Sequence, residues 1–268
     1  MAVLDVEIND FIALVRLNRP EARNALDPEL IVALARCWDR IRVDDDVRVA
    51  LLTGAPGSTF CAGDDLARFI PLLTGARQPE DEWDHAVMDD PEFAARACLL
   101  DLDLGKPLIV AANGHAIAGG MGLLLASDLR VVAAGARLGL SEVRLGILPG
   151  MGGTARLARQ IPPALASEML LTGTPIDAAA ALAAGLINYV VDADKVVDVA
   201  MDLAATIAAN PPLAVRSARN VTRRTADLTE AKAITLETEE LAFLATTEDA
   251  VEGPRAFMEK RPPMFKGR

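Results

Sequence analysis

Residues Lys106–Thr154 read KPLIVAANGHAIAGGMGLLLASDLRVVAAGARLGLSEVRLGILPGMGGT, and this stretch decides the fold. Pro107–Ala112 is a short apolar run, the pattern of a buried strand. A glycine-rich turn follows from Asn113 to Gly120, and Met121–Ser127 reads as the start of a buried helix. Leu129–Ala134 predicts a second strand, leading to Ser141-Glu142 and a glycine cluster at Gly150, Gly152 and Gly153. A strand that turns through glycines into a helix leaves backbone N–H groups free at the positive end of the helix dipole. Such a place holds negative charge, either a phosphate or a carbonyl oxygen gaining charge during a reaction. The spacing Gly119-Gly120-Met121-Gly122 does not fit the dinucleotide fingerprint, and no Gly-Lys-Ser/Thr follows for a P-loop. Two readings remain from these residues alone, an oxyanion hole and a plain structural turn.

Upstream, a fainter copy of the same pattern precedes it. Val47–Thr53 predicts a buried strand, Gly54–Ser58 a loop, and Phe60-Cys61-Ala62-Gly63-Asp64-Asp65-Leu66 a turn back towards a helix. Two such turns side by side would aim two N–H donors at one point, which is what an acyl oxygen needs. Further upstream, Leu4–Ile8 and Ile12–Leu17 alternate as two strands joined through Asn9-Asp10. Asp27 suits the N-cap of a helix with Pro28 at its first position, and Leu30, Ile31, Leu34, Ala35, Trp38 and Ile41 carry that helix to about Arg42. Asp44-Asp45-Asp46 reads as a solvated loop without the further ligands a metal requires. Thr74–Pro91 is polar and acidic and is expected to be a surface loop or lid, with helical spacing resuming over Phe93–Leu102.

Downstream, Pro163–Leu171 is helical, and Asp177 caps a helix over Ala178–Ala184 that Gly185 stops. Leu186–Val191 is a last short strand. Helices alone follow: Lys195–Ala209, Pro212–Thr225, Thr229–Ala245 and one from about Thr247, weakened by Gly253-Pro254. This shift predicts an α/β core over residues 1–191 and a helical C-terminal region over residues 192–268.

Composition bounds the function. The 268 residues are 51% hydrophobic but only 4% aromatic, so a sizeable core must be built from Leu, Val, Ile and Ala. No apolar run reaches membrane-span length, and MAVLDVEIND lacks a secretory pattern. Cys37, Cys61 and Cys98 are odd in number and widely spaced, which favours neither a disulfide framework nor a zinc site. A cytoplasmic protein is expected. The net charge of −11 disfavours nucleic acid as a partner, and the one dense basic cluster, Arg216, Arg219, Arg223 and Arg224, reads as a solvated helix face or a phosphate contact.

The chain resembles the crotonase, or enoyl-CoA hydratase/isomerase, superfamily. The resemblance is carried by Asn18-Arg19-Pro20-Glu21-Ala22-Arg23-Asn24-Ala25-Leu26, Phe60 to Leu66, Lys106-Pro107 through Asp128, Ser141-Glu142 through Gly153, Leu171-Thr172-Gly173, Ala184 to Asn188 and Ala256 to Arg261. Each piece is weak alone, whereas the ordered set is specific and spans nearly the whole chain. It implies a spiral of repeated β-β-α units and a C-terminal helical region that builds trimers, often paired as hexamers. It implies an acyl-CoA thioester as substrate, with no cofactor beyond that coenzyme A and no metal. By motif position the backbone N–H groups of Asp64 and Gly119 are the expected oxyanion hole. The segments with Arg23 and Ala25, and with Ala62, Asp65 and Leu66, resemble coenzyme A-contacting loops. Phe257 and Lys260 match a C-terminal segment that approaches coenzyme A, sometimes from a neighbouring subunit.

The family's hydratases typically use two glutamates to hold and activate one water. The second matches Glu142; the first falls at Gly122, which has no side chain. Hydration needs a held, deprotonated water and a proton at the α-carbon, whereas shifting a double bond needs one base that moves one proton. The expectation is therefore an enzyme working through a stabilised enolate, with Glu142 as single acid/base and hydration or isomerisation left open. The alternatives are a catalytically silent acyl-CoA binder and an acyl-CoA hydrolase, the latter weakened by Gly150 where an Asp is usual. Asp64, Asp65, His115, Asp84 and His85 are available to replace the missing acid; His115 is expected to be packed or hydrogen-bonded, Asp65 to cap a helix, and Asp84 and His85 to be exposed. An ionised Asp64 side chain at the hole would repel an enolate. The missing side chain at Gly122 is expected to leave room for a bulkier acyl group.

Overall fold

The computed structural model describes residues 2–57, 59–100 and 102–268. Ser58, assigned to a loop, and Asp101, in the helix expected over Phe93–Leu102, lie outside the described residues. The chain begins with β1 (Leu4–Asn9) and β2 (Ile12–Leu17), then α1 (Pro28–Val43), β3 (Val49–Gly54), β4 (Thr59–Cys61), α2 (Phe69–Leu73), α3 (Glu82–Asp89) and α4 (Glu92–Ala97). It continues through β5 (Leu108–Ala112), β6 (His115–Ile117), α5 (Gly119–Ala126), β7 (Leu129–Ala133) and β8 (Arg137–Gly139). After them come α6 (Gly153–Gln160), α7 (Pro163–Thr172), β9 (Ile176–Asp177), α8 (Ala178–Ala183) and β10 (Tyr189–Val191). Four helices close the chain: α9 (Val196–Ala208), α10 (Pro212–Thr225), α11 (Glu230–Leu244) and α12 (Glu248–Met258).

Two sheets result. The larger runs β1-β2-β3-β5-β7-β10, with β1 antiparallel to β2 and the remaining pairs parallel. Its inner strands are apolar on both faces, as parallel strands covered by helices must be: β3 and β5 are buried along their whole length. The smaller runs β4-β6-β8-β9, with β4, β6 and β8 mutually parallel. The β1–β2 turn places Asp10 and Phe11 at positive φ, the conformation whose twist matches that of paired strands. Asp27 accepts from the Leu30 amide as expected of the N-cap. Helix α9 packs Val196, Ala200, Ala204 and Ala208 into the same core as the sheet. This small-residue face lets the helix lie close to the strands.

The structure corrects several local expectations. Thr74–Pro91 is loop only in its first half: Glu82–Asp89 folds into α3, N-capped by Asp81, with Val87 buried and Trp83 packed against the core. Asp84 is fully buried rather than exposed, and both its oxygens accept from Arg77 at 2.5 and 2.8 Å, which holds its carboxyl below the usual range. Helix α3 is short and mostly polar, so its apolar spacing did not stand out. His85 is exposed as expected. The basic cluster is only partly solvated, because Arg219 donates to Asp128 and Asp103 at 2.8 and 2.7 Å and ties α10 to the core. Strands β4, β6, β8 and β9 and helix α6 are not announced by the sequence pattern. Segments of two or three residues are too short to display a period of two.

Candidate active site

Three adjacent parallel strands build the site. Asp64 follows the end of β4, Gly119 follows β6 and Glu142 follows β8. Because β4, β6 and β8 run the same way and neighbours lie about 4.8 Å apart, their C-terminal ends open on one edge. Open α/β sheets bind ligands at that edge.

The two glycine turns touch. A methyl group added to Gly63 would meet the Ala118 side chain at 2.5 Å, the Ile117 carbonyl at 2.8 Å and the Gly119 nitrogen at 3.0 Å. Gly63 also sits at φ +93°, in the left-handed half of backbone space. Its carbonyl accepts from the Leu26 amide, while Asp65 donates to the Leu26 carbonyl, so the Asp64 turn is pinned on both sides. Ala118 adopts φ +51° and ψ −123°, a conformation that costs a non-glycine residue about 1–3 kcal/mol. That kink turns the chain from β6 directly into α5 and exposes the first amide of the helix. Among the described residues, neither the Asp64 nor the Gly119 amide donates to another residue's backbone or side chain.

Glu142 opens a one-turn 3-10 segment after Ser141 and is buried, with its Oε2 sealed from solvent and unpartnered. Burial first, and the charge of Asp64 second, push its carboxyl above the usual range. The nearby arginines do not neutralise it. Arg144 donates to Thr172 and Thr174, and Arg137 to the Pro175 carbonyl. Asp64 is a half-buried residue whose Oδ1 is likewise sealed and unpartnered. Burial pushes its carboxyl up to about 6, against the opposing pull of its own amide.

The remaining candidates separate into those facing outward and those committed to the scaffold. Arg23, Leu66, Phe257 and Lys260 are exposed, and Ala25 and Ala62 half-buried. Asp65 caps the next turn by accepting from the Ala67 and Arg68 amides and pairs with Arg19 at 3.2 Å, so its carboxylate is already engaged. His115 is hydrogen-bonded as expected: its Nδ1 accepts from the Arg137 amide at 2.9 Å. Two residues went unnoticed in the sequence. Asn24, at φ +55°, accepts from the Arg19 amide and donates to the Thr59 and Phe60 carbonyls; Asn113 donates to the carbonyls of Gly54 and Ala55. The available signal was Asn at a turn, since Asn tolerates the left-handed region and bonds nearby backbone.

Gly122 does not leave an empty space, contrary to expectation. A methyl group there would lie 3.1 Å from the Met151 carbonyl and 3.7 Å from its side chain. The Met151 backbone therefore stands against the position, and its carbonyl would have to give way to any side chain there. Gly122→Glu is therefore expected to destabilise the protein by about 1–3 kcal/mol without raising hydration activity. Thermal melting and an enoyl-CoA assay check both; a stable, faster variant would show that the space is available.

Comparison with known proteins gives one consistent result. Residues 7–268 match the family model described as enoyl-CoA hydratase/isomerase. The chain is 38% identical over 262 residues to (E)-benzylidenesuccinyl-CoA hydratase of Thauera aromatica, covering 98% of each chain. It is 40% identical over 263 residues to an enoyl-CoA hydratase of Mycobacterium tuberculosis, covering 98% of this chain and 96% of that one. The crystal structure of enoyl-CoA hydratase from Bacillus anthracis superposes with a TM-score of 0.89 at 34% identity, covering 99% of this chain and 100% of that one.

Proposed function

The chain belongs to the enoyl-CoA hydratase/isomerase family, and from that membership we propose that it adds water reversibly across the double bond of a 2-enoyl-CoA thioester. The observation that supports this reading is that Asp64, Gly119 and Glu142 each follow the end of one of three adjacent parallel strands, with Oε2 of Glu142 sealed and unpartnered. The thioester oxygen would take the two N–H bonds. Those bonds strengthen as the oxygen gains enolate charge, so they stabilise the transition state more than the substrate. The position of Gly119 at the start of α5 adds the positive end of the helix dipole. Glu142, buried and with no cationic partner among the described residues, has its proton affinity raised by that burial, the direction that suits a general acid/base.

Isomerisation of the double bond is the second reading, favoured by the bare backbone of Gly122. The two differ in one atom. Reaction of an enoyl-CoA in heavy-oxygen water, followed by mass spectrometry, is expected to place one labelled oxygen on the acyl chain. A shifted double bond without label establishes isomerisation, and label in a free acid establishes hydrolysis.

The exposed loops with Arg23 and Leu66 are the proposed contacts for coenzyme A. Phe257 and Lys260 are proposed to reach coenzyme A of a neighbouring subunit in a trimer or hexamer. Supporting this assembly, large apolar side chains stand exposed on the C-terminal helices: Leu241 is 66% exposed, Phe257 82% and Met258 80%. A monomeric mass by light scattering at micromolar concentration would remove the assembly and the shared contact together.

A further inference from the structure

We propose that the side chain of Asp64, and not only its amide, carries a proton in the reaction, as the acid partner of Glu142. The inference rests on the hydratase reading above and supplies the group that reading lacks at Gly122.

Four observations on this chain lead to it. Oδ1 of Asp64 and Oε2 of Glu142 are both sealed from solvent and both unpartnered. Structural carboxylates in this protein are not left so. Asp27, Asp65, Asp84 and Glu252 all accept hydrogen bonds from arginine or backbone donors. Second, Asp64 lies directly over the start of α5, since a methyl group added to Gly119 would sit 3.1 Å from Oδ1. The carboxyl therefore stands against the residue whose amide is the proposed donor to the thioester oxygen. Third, the charge of Asp64 reaches Glu142 and raises its proton affinity. Fourth, among the described residues no cation pairs with Asp64: Arg19, whose charge reaches Cys61, is engaged by Asp27 and Asp65, and Arg156, whose charge reaches Cys98, donates to the Cys98 carbonyl. The titratable groups around it are Glu142, the Cys61 thiol pushed up to about 12 by burial, and the Cys98 thiol, also raised.

The division of labour follows from position. An ionised Asp64 would repel the enolate, so the proton belongs on Asp64 while Glu142 is the carboxylate. A water oxygen bonds to C3 as its O–H bond breaks, and that proton goes to Glu142. The electron pair of the C2=C3 bond moves through C2 to the thioester oxygen. As it returns, C2 takes the proton of the Asp64 carboxyl. The product is the 3-hydroxyacyl thioester, Glu142 is protonated and Asp64 ionised, and a net proton transfer from Glu142 to Asp64 resets the pair. No redox partner is required.

The test compares Asp64→Ala and Asp64→Asn with the unmodified enzyme. Both substitutions keep the backbone amide and remove the acid. Turnover of a 2-enoyl-CoA is expected to fall by about 10²–10⁴-fold, with saturated acyl-CoA binding, measured by equilibrium dialysis, within about threefold, as expected if the amide is kept. The unmodified enzyme should lose kcat/KM as pH rises through the Asp64 carboxyl value, and the residual activity of the variants should lack that limb. Turnover within fivefold of normal, or equal losses of binding and turnover, overturns the proposal. Exchange of the α-protons of butyryl-CoA in deuterated water separates the two readings. An unmodified enzyme that exchanges but never hydrates defeats the hydratase reading alone; Asp64→Asn must then still lose exchange. Absence of exchange in the unmodified enzyme overturns the role given to Asp64.

Discussion

Replacing Glu142 with Gln is expected to lower turnover of an enoyl-CoA by about 10²–10⁴-fold, the usual worth of a positioned acid/base. The substitution keeps volume and shape, so acyl-CoA affinity should hardly change. Stability should move the other way. The native carboxyl has a raised proton affinity, so it is tolerated in the fold while protonated and opposes folding once ionised. The contribution is fully favourable below the ordinary carboxylate range and is lost as pH rises through the raised native value. A neutral amide escapes that loss. Glu142→Gln should therefore match or exceed the unmodified protein in thermal stability near pH 8, with a smaller difference near pH 5. Melting curves at the two pH values, beside steady-state kinetics, check both halves. Undiminished turnover would remove Glu142 from the mechanism, and a less stable variant at pH 8 would show that its carboxylate has an unseen partner.

Gly63→Ala is expected to damage activity through geometry, with no ionisable group touched. The added methyl group would overlap the Ala118 side chain and crowd the Ile117 carbonyl and Gly119 nitrogen, all within 3.0 Å. These neighbours are backbone or Cβ atoms and cannot swing aside. The positive φ adds its own penalty, giving a total of about 1–3 kcal/mol in stability. The two turns must then separate, and with them the Asp64 and Gly119 amides. Losing one aligned donor at a developing oxyanion costs about 10²–10³-fold in turnover. Ala55→Gly provides the control, because it loosens a neighbouring turn without forcing the amides apart. A folded Gly63→Ala protein with normal turnover would mean that the two turns do not jointly hold the thioester oxygen.

The ordered glycine turns, the Asp27 cap and the long apolar strands were legible because each is a local property. A strand of five or six apolar residues, a Pro at a helix start or a Gly before a helix announces itself within a few positions. The family and the motif positions of Asp64, Gly119 and Glu142 followed from the order of such pieces. What the sequence could not determine is the state of those residues. That Thr74–Pro91 holds a helix depends on Asp84 finding Arg77 inside the fold, and that Gly122 is closed depends on the backbone of Met151 twenty-nine positions away. That two carboxyls lie sealed, unpaired and within each other's field depends on β4, β6 and β8 standing side by side. Burial and charge coupling are properties of the space between elements, and no stretch of chain carries them by itself.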